Sequence, residues 1–159
     1  MTTDELRQLL ESVRSGRTDI DAALGRLGRP AVADLGFAQV DLDRRGRCGF
    51  PEVIFCEGKA PEWIEGVARR LAEAKQDCLG TRVSAEQSDH LARCFPQALQ
   101  DRVGRTFWLP APGNRPPPRG RVLVVTAGTG DLPVAQEAAV TVRAIGSDVD
   151  LVADVGVAG

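Results

Sequence analysis

The sequence is poor in the residues that build metal centres and in those that neutralise nucleic acid. Among 159 residues there are 1 His, 4 Cys and no Tyr. No two cysteines form a Cys-x-x-Cys pair, which argues against a structural zinc site. Lys and Arg total 20 against 22 Asp and Glu, a formal net charge of -2. The basic surplus of nucleic-acid-binding proteins is absent, so we expect no nucleic-acid partner.

Long apolar runs are also missing. No run approaches the ~20 residues that a helix needs to cross a bilayer. The chain opens with Met1-Thr-Thr-Asp-Glu5, whereas a secretory signal starts with basic residues and continues into an apolar stretch. We therefore expect a soluble, cytoplasmic protein with no membrane partner, whose four thiols are free in a reducing compartment.

What is present predicts an N-terminal α/β domain over residues 1–109. Apolar residues at helical spacing predict two helices over 3–28. Residues 35–109 alternate β-prone runs, at 52–57 and 78–83, with helices that begin at Pro61 and at the Ser84-Ala-Glu-Gln87 capping box. Residues 103–109 are predicted as an edge strand.

A proline-rich segment separates this domain from a second pattern. Residues 110–119 hold five prolines, which exclude a helix or a central strand and predict a semi-rigid linker. Residues 121–126 form a continuous apolar run, typical of a strand buried on both faces. A helix over 131–145 and a strand over 149–155 complete one βαβ unit. Because one such unit cannot cover a parallel sheet, we expect residues 120–159 to be the incomplete opening of a domain.

The first candidate site is the turn Thr126-Ala-Gly-Thr-Gly-Asp131. Ligands of open α/β sheets bind at the carboxyl ends of strands, and a helix N-terminus favours phosphate. Gly128 and Gly130 let the backbone approach closely, and Asp131 can accept hydrogen bonds from ribose hydroxyls. Equally, Asp131 can be only the N-cap and the glycines only turn formers. The turn fits neither a Walker loop nor G-x-G-x-x-G.

The second candidate is the charged segment 41–59. Arg44, Arg47 and Lys59 can neutralise a pyrophosphate, because guanidinium groups match its oxygens, and Glu52 can position the arginines. A solvated charged loop leading into a strand explains the same composition. Arg82 ends a strand, where it can reach a substrate anion or form an ion pair.

Single residues attract simpler interpretations. Cys56 lies inside a predicted strand and is interpreted as a small core residue. His90 falls in the middle of a helix among polar neighbours and is interpreted as a surface residue. Trp63 is predicted to lie in the core, and Trp108 on an edge strand or at an interface. Arg45 lies outside the motif described next, so its replacement by Ala is expected to be nearly silent.

The chain resembles the LarB family, the pyridinium-3,5-biscarboxylic acid mononucleotide synthases of nickel-pincer cofactor biosynthesis. The resemblance extends in order along nearly the whole chain. It is carried by Leu35-Gly-Phe-Ala38, Asp41-Leu-Asp-Arg44, Arg47, Gly49-Phe-Pro-Glu-Val-Ile54, Gly58-Lys59, Thr81-Arg82, Val125-Thr-Ala-Gly-Thr129, Asp131, Pro133-Val-Ala135, Glu137-Ala138 and Asp154-Val-Gly-Val-Ala-Gly159.

The resemblance implies a fold and a reaction. The second domain would be a flavodoxin-like, three-layer parallel α/β domain similar to phosphoribosylaminoimidazole carboxylase (PurE), which usually assembles into homo-octamers. The enzyme would carboxylate nicotinic acid adenine dinucleotide with CO2 at ring carbon 5 and hydrolyse its phosphoanhydride, releasing AMP. Whether Mg²⁺ assists at the pyrophosphate stays open. A cysteine thiolate would add to the pyridinium ring and turn it into a nucleophile.

The sequence departs from the family pattern at several points. The family's catalytic cysteine and its His-Arg pair belong beyond Gly159, so no catalytic residue is assigned in this chain and these 159 residues alone are expected to be inactive. Gly130 replaces a small hydroxyl residue, and Gln136 replaces a common Glu. Two alternatives remain: an aminoimidazole ribonucleotide carboxylase or mutase, and a non-catalytic nucleotide-binding or assembly module.

Overall fold

A computed structural model describes residues 3–27, 32–113 and 116–156, except for the side chain of Arg47. The chain divides into two units, Met1–Val32 and Ala33–Gly159, and the division falls within the first strand. No helix in the described ranges has the length and hydropathy of a membrane span.

The first unit is a pair of helices, α1 (Thr3–Arg14) and α2 (Ile20–Leu27), as the apolar spacing predicts. Asp19 Oδ1 accepts a hydrogen bond from the backbone N–H of Ala22 at 2.8 Å, which caps the start of α2. Among the described residues of this unit, Leu9 of α1 and Ala23 of α2 are the buried apolar ones.

The second unit opens with two small sheets and the helices between their strands. In chain order the elements are β1 (Val32–Asp34), β2 (Gln39–Asp41), α3 (Arg44–Cys48), β3 (Glu52–Phe55), α4 (Pro61–Glu73), β4 (Cys78–Thr81), α5 (Ala85–Cys94), β5 (Leu99–Asp101) and β6 (Thr106–Leu109). Strands β1 and β2 pair with each other, and the other four form a sheet in the order β3-β4-β6-β5. Within it β3 and β4 are parallel, and the remaining pairs are antiparallel.

Local signals in the sequence account for helices α4 and α5. Pro61 stands in the first turn of α4, where its missing N–H costs nothing. Ser84 and Gln87 form the predicted capping box at the start of α5, each side chain accepting from the other's backbone N–H. Both helices pack on one face of the sheet around Ile64, Leu71, Leu91 and Phe107, all at most 1% exposed.

Two predictions for residues 33–109 are wrong. Strand β6 is central rather than an edge, and all four of its residues are buried. Strand β5 was not predicted from the sequence. It ends at Asp101, whose carboxylate accepts from the N–H groups of Val103 and Gly104 (2.9 and 2.7 Å) and holds the segment before β6 in a turn. Trp63 is not in the core. It is 50% exposed and stacks on Phe37, with 5.8 Å between ring centroids.

The last part of the second unit is the predicted βαβ unit. Strand β7 (Arg121–Val125) pairs in parallel with β8 (Asp148–Val152), and α6 (Leu132–Ile145) connects them. Gly146 ends α6 with a φ of 99°, a conformation that glycine adopts without strain. The fold class is therefore α/β, as predicted. Residues 110–113 and 116–120, on either side of two undescribed positions, form no helix or strand.

The expected burial of β7 on both faces is wrong. Leu123 is 60% exposed and Val125 is 52% exposed. Within the described residues β8 is the only strand beside β7, and one helix covers part of one face. An apolar run fixes where a strand can be buried, while its neighbours decide whether it is.

Helix α6 also packs on the four-stranded sheet, on the face opposite α4 and α5. Ala144 of α6 lies in one cluster with Leu79 and Trp108, whose neighbours along β4 and β6 point to the other core. Gly104 lies directly under the helix, since a Cβ there would be 2.9 Å from the backbone N of Glu137. Helix α6 therefore contacts the β7–β8 sheet and the four-stranded sheet.

Candidate functional site

The turn between β7 and α6 is held by its own hydrogen bonds. Thr126 donates its backbone N–H to the carbonyl of Val152 at 3.0 Å. Its hydroxyl donates to the carbonyl of Gly128 at 2.9 Å, and the N–H of Asp131 donates to the same carbonyl at 3.2 Å. Thr126 is buried, at 6% exposure, so it shapes the turn from beneath. Residues 129–131 form one 3-10 turn that leads into α6.

Asp131 and the glycines of this turn face open space. Asp131 is exposed and occupies the N-cap position of α6, but its side chain makes no capping hydrogen bond. The carboxylate of Asp131 therefore does not cap the helix, although the residue occupies the N-cap position. A Cβ added at Gly128 or Gly130 would meet no described atom within 4 Å. The backbone here is open to a ligand beside the N-terminus of a 14-residue helix.

The amino ends of β3 and β4 hold one part of the predicted basic segment. Arg44 Nε lies 3.9 Å from Glu52 Oε2, and its guanidinium lies 4.9 Å from the centre of the Phe50 ring. Burial raises the pKa of Glu52, while the Arg44 charge opposes that rise and Asp41 adds to it. Glu52 and Arg44 are thus close enough for an ion pair, but Arg44 Nε and Glu52 Oε2 make no hydrogen bond. The side chain of Arg47 lies outside the described residues.

Arg45 also lies at the amino ends of β3 and β4, and its side chain makes a buried contact. Its guanidinium forms an ion pair with Asp77, a carboxylate that is 2% exposed. The same carboxylate accepts the backbone N–H of Ala111. Asp77 therefore joins α3, the start of β4 and the segment after β6. The expectation that Arg45 is silent does not fit this contact. An acid directly before the apolar run Cys78-Leu79 is the signal that sequence reasoning passed over.

The carboxyl ends of β3 and β4 hold the other part. Lys59 Nζ donates to the carbonyl of Phe55 at 2.6 Å. Arg82 has a φ of 55°, uncommon for a residue with a side chain. Its Nε lies 3.2 Å from Glu137 Oε2, and its backbone N–H donates to the same oxygen at 3.3 Å. The ion-pair alternative for Arg82 is thus the one that the structure contains.

The sequence-predicted residues therefore fall at the two opposite ends of strands β3 and β4 in the four-stranded sheet. A strand of four residues spans about 10–13 Å, and this length separates Arg44 and Glu52 from Lys59 and Arg82. Helix α6 runs from the carboxyl ends of β3 and β4 toward their amino ends. Glu137 in its first half pairs with Arg82, and its last turn lines a cleft of about 270 Å³ together with Arg45. The β7–α6 turn and Arg82 therefore lie toward the same end of α6, and Arg44 does not.

The cysteines in the sheet are poor nucleophiles. Cys56 is fully buried, as predicted for a core residue, and burial raises the pKa of its thiol to about 11. Burial also raises the pKa of Cys78. Both side chains are therefore neutral thiols at physiological pH, whereas the thiolate is the nucleophile.

Comparison with known proteins agrees with this architecture. Residues 32–111 match the LarB/PurE-like N-terminal domain. An uncharacterized protein of Methanocaldococcus jannaschii is 29% identical over 160 residues, which cover 97% of this chain and 62% of that relative. The chain thus spans less than two thirds of the relative's length. The domain match takes in half of the chain, including the whole four-stranded sheet with α4 and α5, and the chain accordingly belongs to the LarB family.

Proposed function

We propose that this chain belongs to an enzyme that carboxylates the pyridinium ring of nicotinic acid adenine dinucleotide. CO2 is the co-substrate, and hydrolysis of the phosphoanhydride releases AMP. The observation that carries the proposal is the match over residues 32–111. Simple PurE-like carboxylases have no such domain, so the match favours the dinucleotide over aminoimidazole ribonucleotide.

The β7–α6 turn is the proposed ribose-phosphate subsite. The partial positive charge at the start of α6 favours a phosphate there, although the N–H of Leu132 already donates to Thr129 and Pro133 has none. Gly128, Thr129 and Gly130 supply backbone that a ligand can approach, and Thr126 keeps that backbone in shape through its bond to Gly128. The exposed carboxylate of Asp131 would accept from ribose hydroxyls. It is also an oxygen ligand of the type that Mg²⁺ prefers, should the ion assist at the pyrophosphate.

The basic residues take different parts in this proposal. Arg82 lies toward the turn but is held by Glu137, so it binds a phosphate only if that ion pair is shared. Arg44 and Glu52 lie at the opposite edge of the sheet and do not contact the same phosphate. Lys59 keeps its proposed pyrophosphate role, whereas Arg47 lies in the same short helix as Arg44 and would serve that ligand only from another copy of the chain. The resemblance further implies a homo-oligomer built through the PurE-like domain, in which residues of two copies can serve one ligand.

Binding of the dinucleotide tests the subsite. Asp131→Asn keeps the size of the side chain and removes its charge. A hydrogen bond to a charged group contributes about 1.5–3 kcal/mol, so titration calorimetry should show roughly 10- to 100-fold weaker binding. Asp150→Asn is the matched control, because Asp150 is an exposed carboxylate of the same βαβ unit that pairs with Arg121. Equal binding by both variants would remove Asp131 from the site.

The reaction itself is tested on the complete gene product with labelled bicarbonate. Label should enter an acid-stable product with nicotinic acid adenine dinucleotide, and AMP should appear in equal amount. Incorporation with aminoimidazole ribonucleotide instead would make the protein a purine-pathway carboxylase. Tight binding of the dinucleotide with no incorporation would leave a nucleotide-binding module.

A further inference from the structure

Three side chains with metal-ligating atoms meet between α4 and α5. Glu65 of α4 and His90 and Cys94 of α5 each place one such atom within 4.8 Å of the other two. His90 and Cys94 are four residues apart, so they share one face of α5. The third ligand comes from another helix, which is why the spacing of cysteines along the sequence gives no sign of this group.

Two neighbouring side chains, Arg69 and His90, orient the carboxylate of Glu65. Arg69 Nη2 donates to Glu65 Oε1 at 2.6 Å, and His90 Nε2 lies 2.8 Å from Glu65 Oε2. Arg69 is fixed in turn over the ring of Phe95, 5.7 Å from its centre. Arg69 therefore holds one oxygen of Glu65, and His90 Nε2 lies beside the other. Outer partners of this type orient the ligands of protein metal sites.

Access also fits a metal ion. The side chains of His90 and Glu65 are 21% and 24% exposed, which leaves room for a fourth ligand from solvent.

We propose that Glu65, His90 and Cys94 bind a zinc-class transition-metal ion. The three protein ligands leave one coordination position for water or an anion. A thiolate, an imidazole and a carboxylate are the ligands that Zn²⁺ takes, whereas Mg²⁺ and Ca²⁺ take oxygen. Binding releases the thiol proton of Cys94 and replaces the Glu65–His90 hydrogen bond with two metal bonds. The ion would tie α4 to α5.

The site is independent of the proposed substrate subsite. Helices α4 and α5 cover the face of the four-stranded sheet that carries Phe107, and α6 covers the face that carries Trp108. The β7–α6 turn belongs to the second face. Metal binding can therefore be measured without substrate, and its result does not depend on the proposed carboxylation.

Titration of the metal-free full chain with Zn²⁺, in competition with a chromophoric chelator, tests the proposal. One ion should bind per chain, and Co²⁺ as a probe should give the near-ultraviolet sulfur-to-cobalt absorption of a thiolate ligand. Cys94→Ser should abolish that absorption and lower the Zn²⁺ affinity at least about tenfold, the low end for loss of even an outer partner. Cys48→Ser, at an exposed cysteine outside the group, should change neither.

A second pair of variants keeps the test decisive if Cys94→Ser folds poorly. His90→Gln and Glu65→Gln preserve side-chain size, and circular dichroism reports whether each is folded. Either should weaken Zn²⁺ binding and remove the rise in Tm that Zn²⁺ gives the parent protein. Equal affinity in the parent and all three ligand variants, or no one-to-one binding by the parent, would overturn the proposal and leave a hydrogen-bonded cluster alone.

Discussion

The two larger sheets of the second unit use similar apolar runs with opposite results. Thr-Phe-Trp-Leu in β6 is buried at every position, whereas Val-Leu-Val-Val in β7 is largely exposed. Strand β6 has β4 and β5 beside it and helices over both of its faces, while β7 has β8 and part of α6. The comparison shows that burial belongs to the neighbourhood of a strand, and that composition only permits it.

Truncation of one large side chain in each sheet is the strongest test of this contrast. Phe107→Ala should lower the free energy of unfolding by about 3–5 kcal/mol, the usual cost of a buried aromatic. Leu123→Ala should change it by no more than about 0.5 kcal/mol, because the side chain is 60% exposed. Urea unfolding measures both. Similar losses would mean that β7 is covered in solution.

The Arg45–Asp77 pair gives a smaller effect at the amino edge of the four-stranded sheet. Arg45→Ala removes the Arg45 guanidinium from a buried carboxylate and should cost about 2–3 kcal/mol, less than a fully buried pair because Arg45 is 32% exposed. Arg70→Ala is the control. Its partner Glu73 is 60% exposed, so the loss should stay below about 1 kcal/mol. If the two variants were equally stable, Asp77 would have to be neutralised by other groups.

Contact between the two sheets through α6 is tested at Gly104. Gly104→Ala places a methyl group 2.9 Å from the Glu137 backbone, and such overpacking should cost about 1–3 kcal/mol. The matched change Gly128→Ala meets open space and has an extended backbone, so stability should be nearly unchanged. A neutral Gly104→Ala would show that α6 moves away from the four-stranded sheet at little cost.

Thiol labelling compares the regions with no change of sequence. Cys48 is exposed and should react with a thiol reagent at neutral pH within the mixing time of an ordinary assay. Cys56 and Cys78 are buried with raised pKa values, so they should react only as fast as the four-stranded sheet opens. Rapid reaction of all cysteines in folded protein would contradict the buried core described for β3 and β4.

Sequence reasoning succeeded where the determinants are local. The capping box at Ser84, the proline that starts α4 and the glycine that ends α6 each act within a few residues, and all lie where they were predicted. The position of β6 in the sheet depends on β5, a strand of three residues of which two are polar. No local pattern distinguishes such a strand from a loop.

The candidate site divides in the same way. The β7–α6 turn is contiguous, so its strand, its glycines and its helix could be placed from the sequence. The charged segment 41–59 reads as one patch along the chain, but β3 separates its two ends, so Arg44 and Lys59 lie at opposite edges. Pairs such as Arg45 with Asp77 and Arg82 with Glu137 join residues 32 and 55 positions apart, and sequence spacing alone does not reveal them.

The two tryptophans give the protein two distinct optical probes. Trp63 is half exposed beside Phe37, so its fluorescence should resemble that of a solvated indole. Trp108 is 8% exposed and lies against α6, so it should emit at shorter wavelength. Since α6 begins at the proposed ribose-phosphate turn, a ligand that shifts this helix would change the blue-emitting component and leave the other as an internal reference.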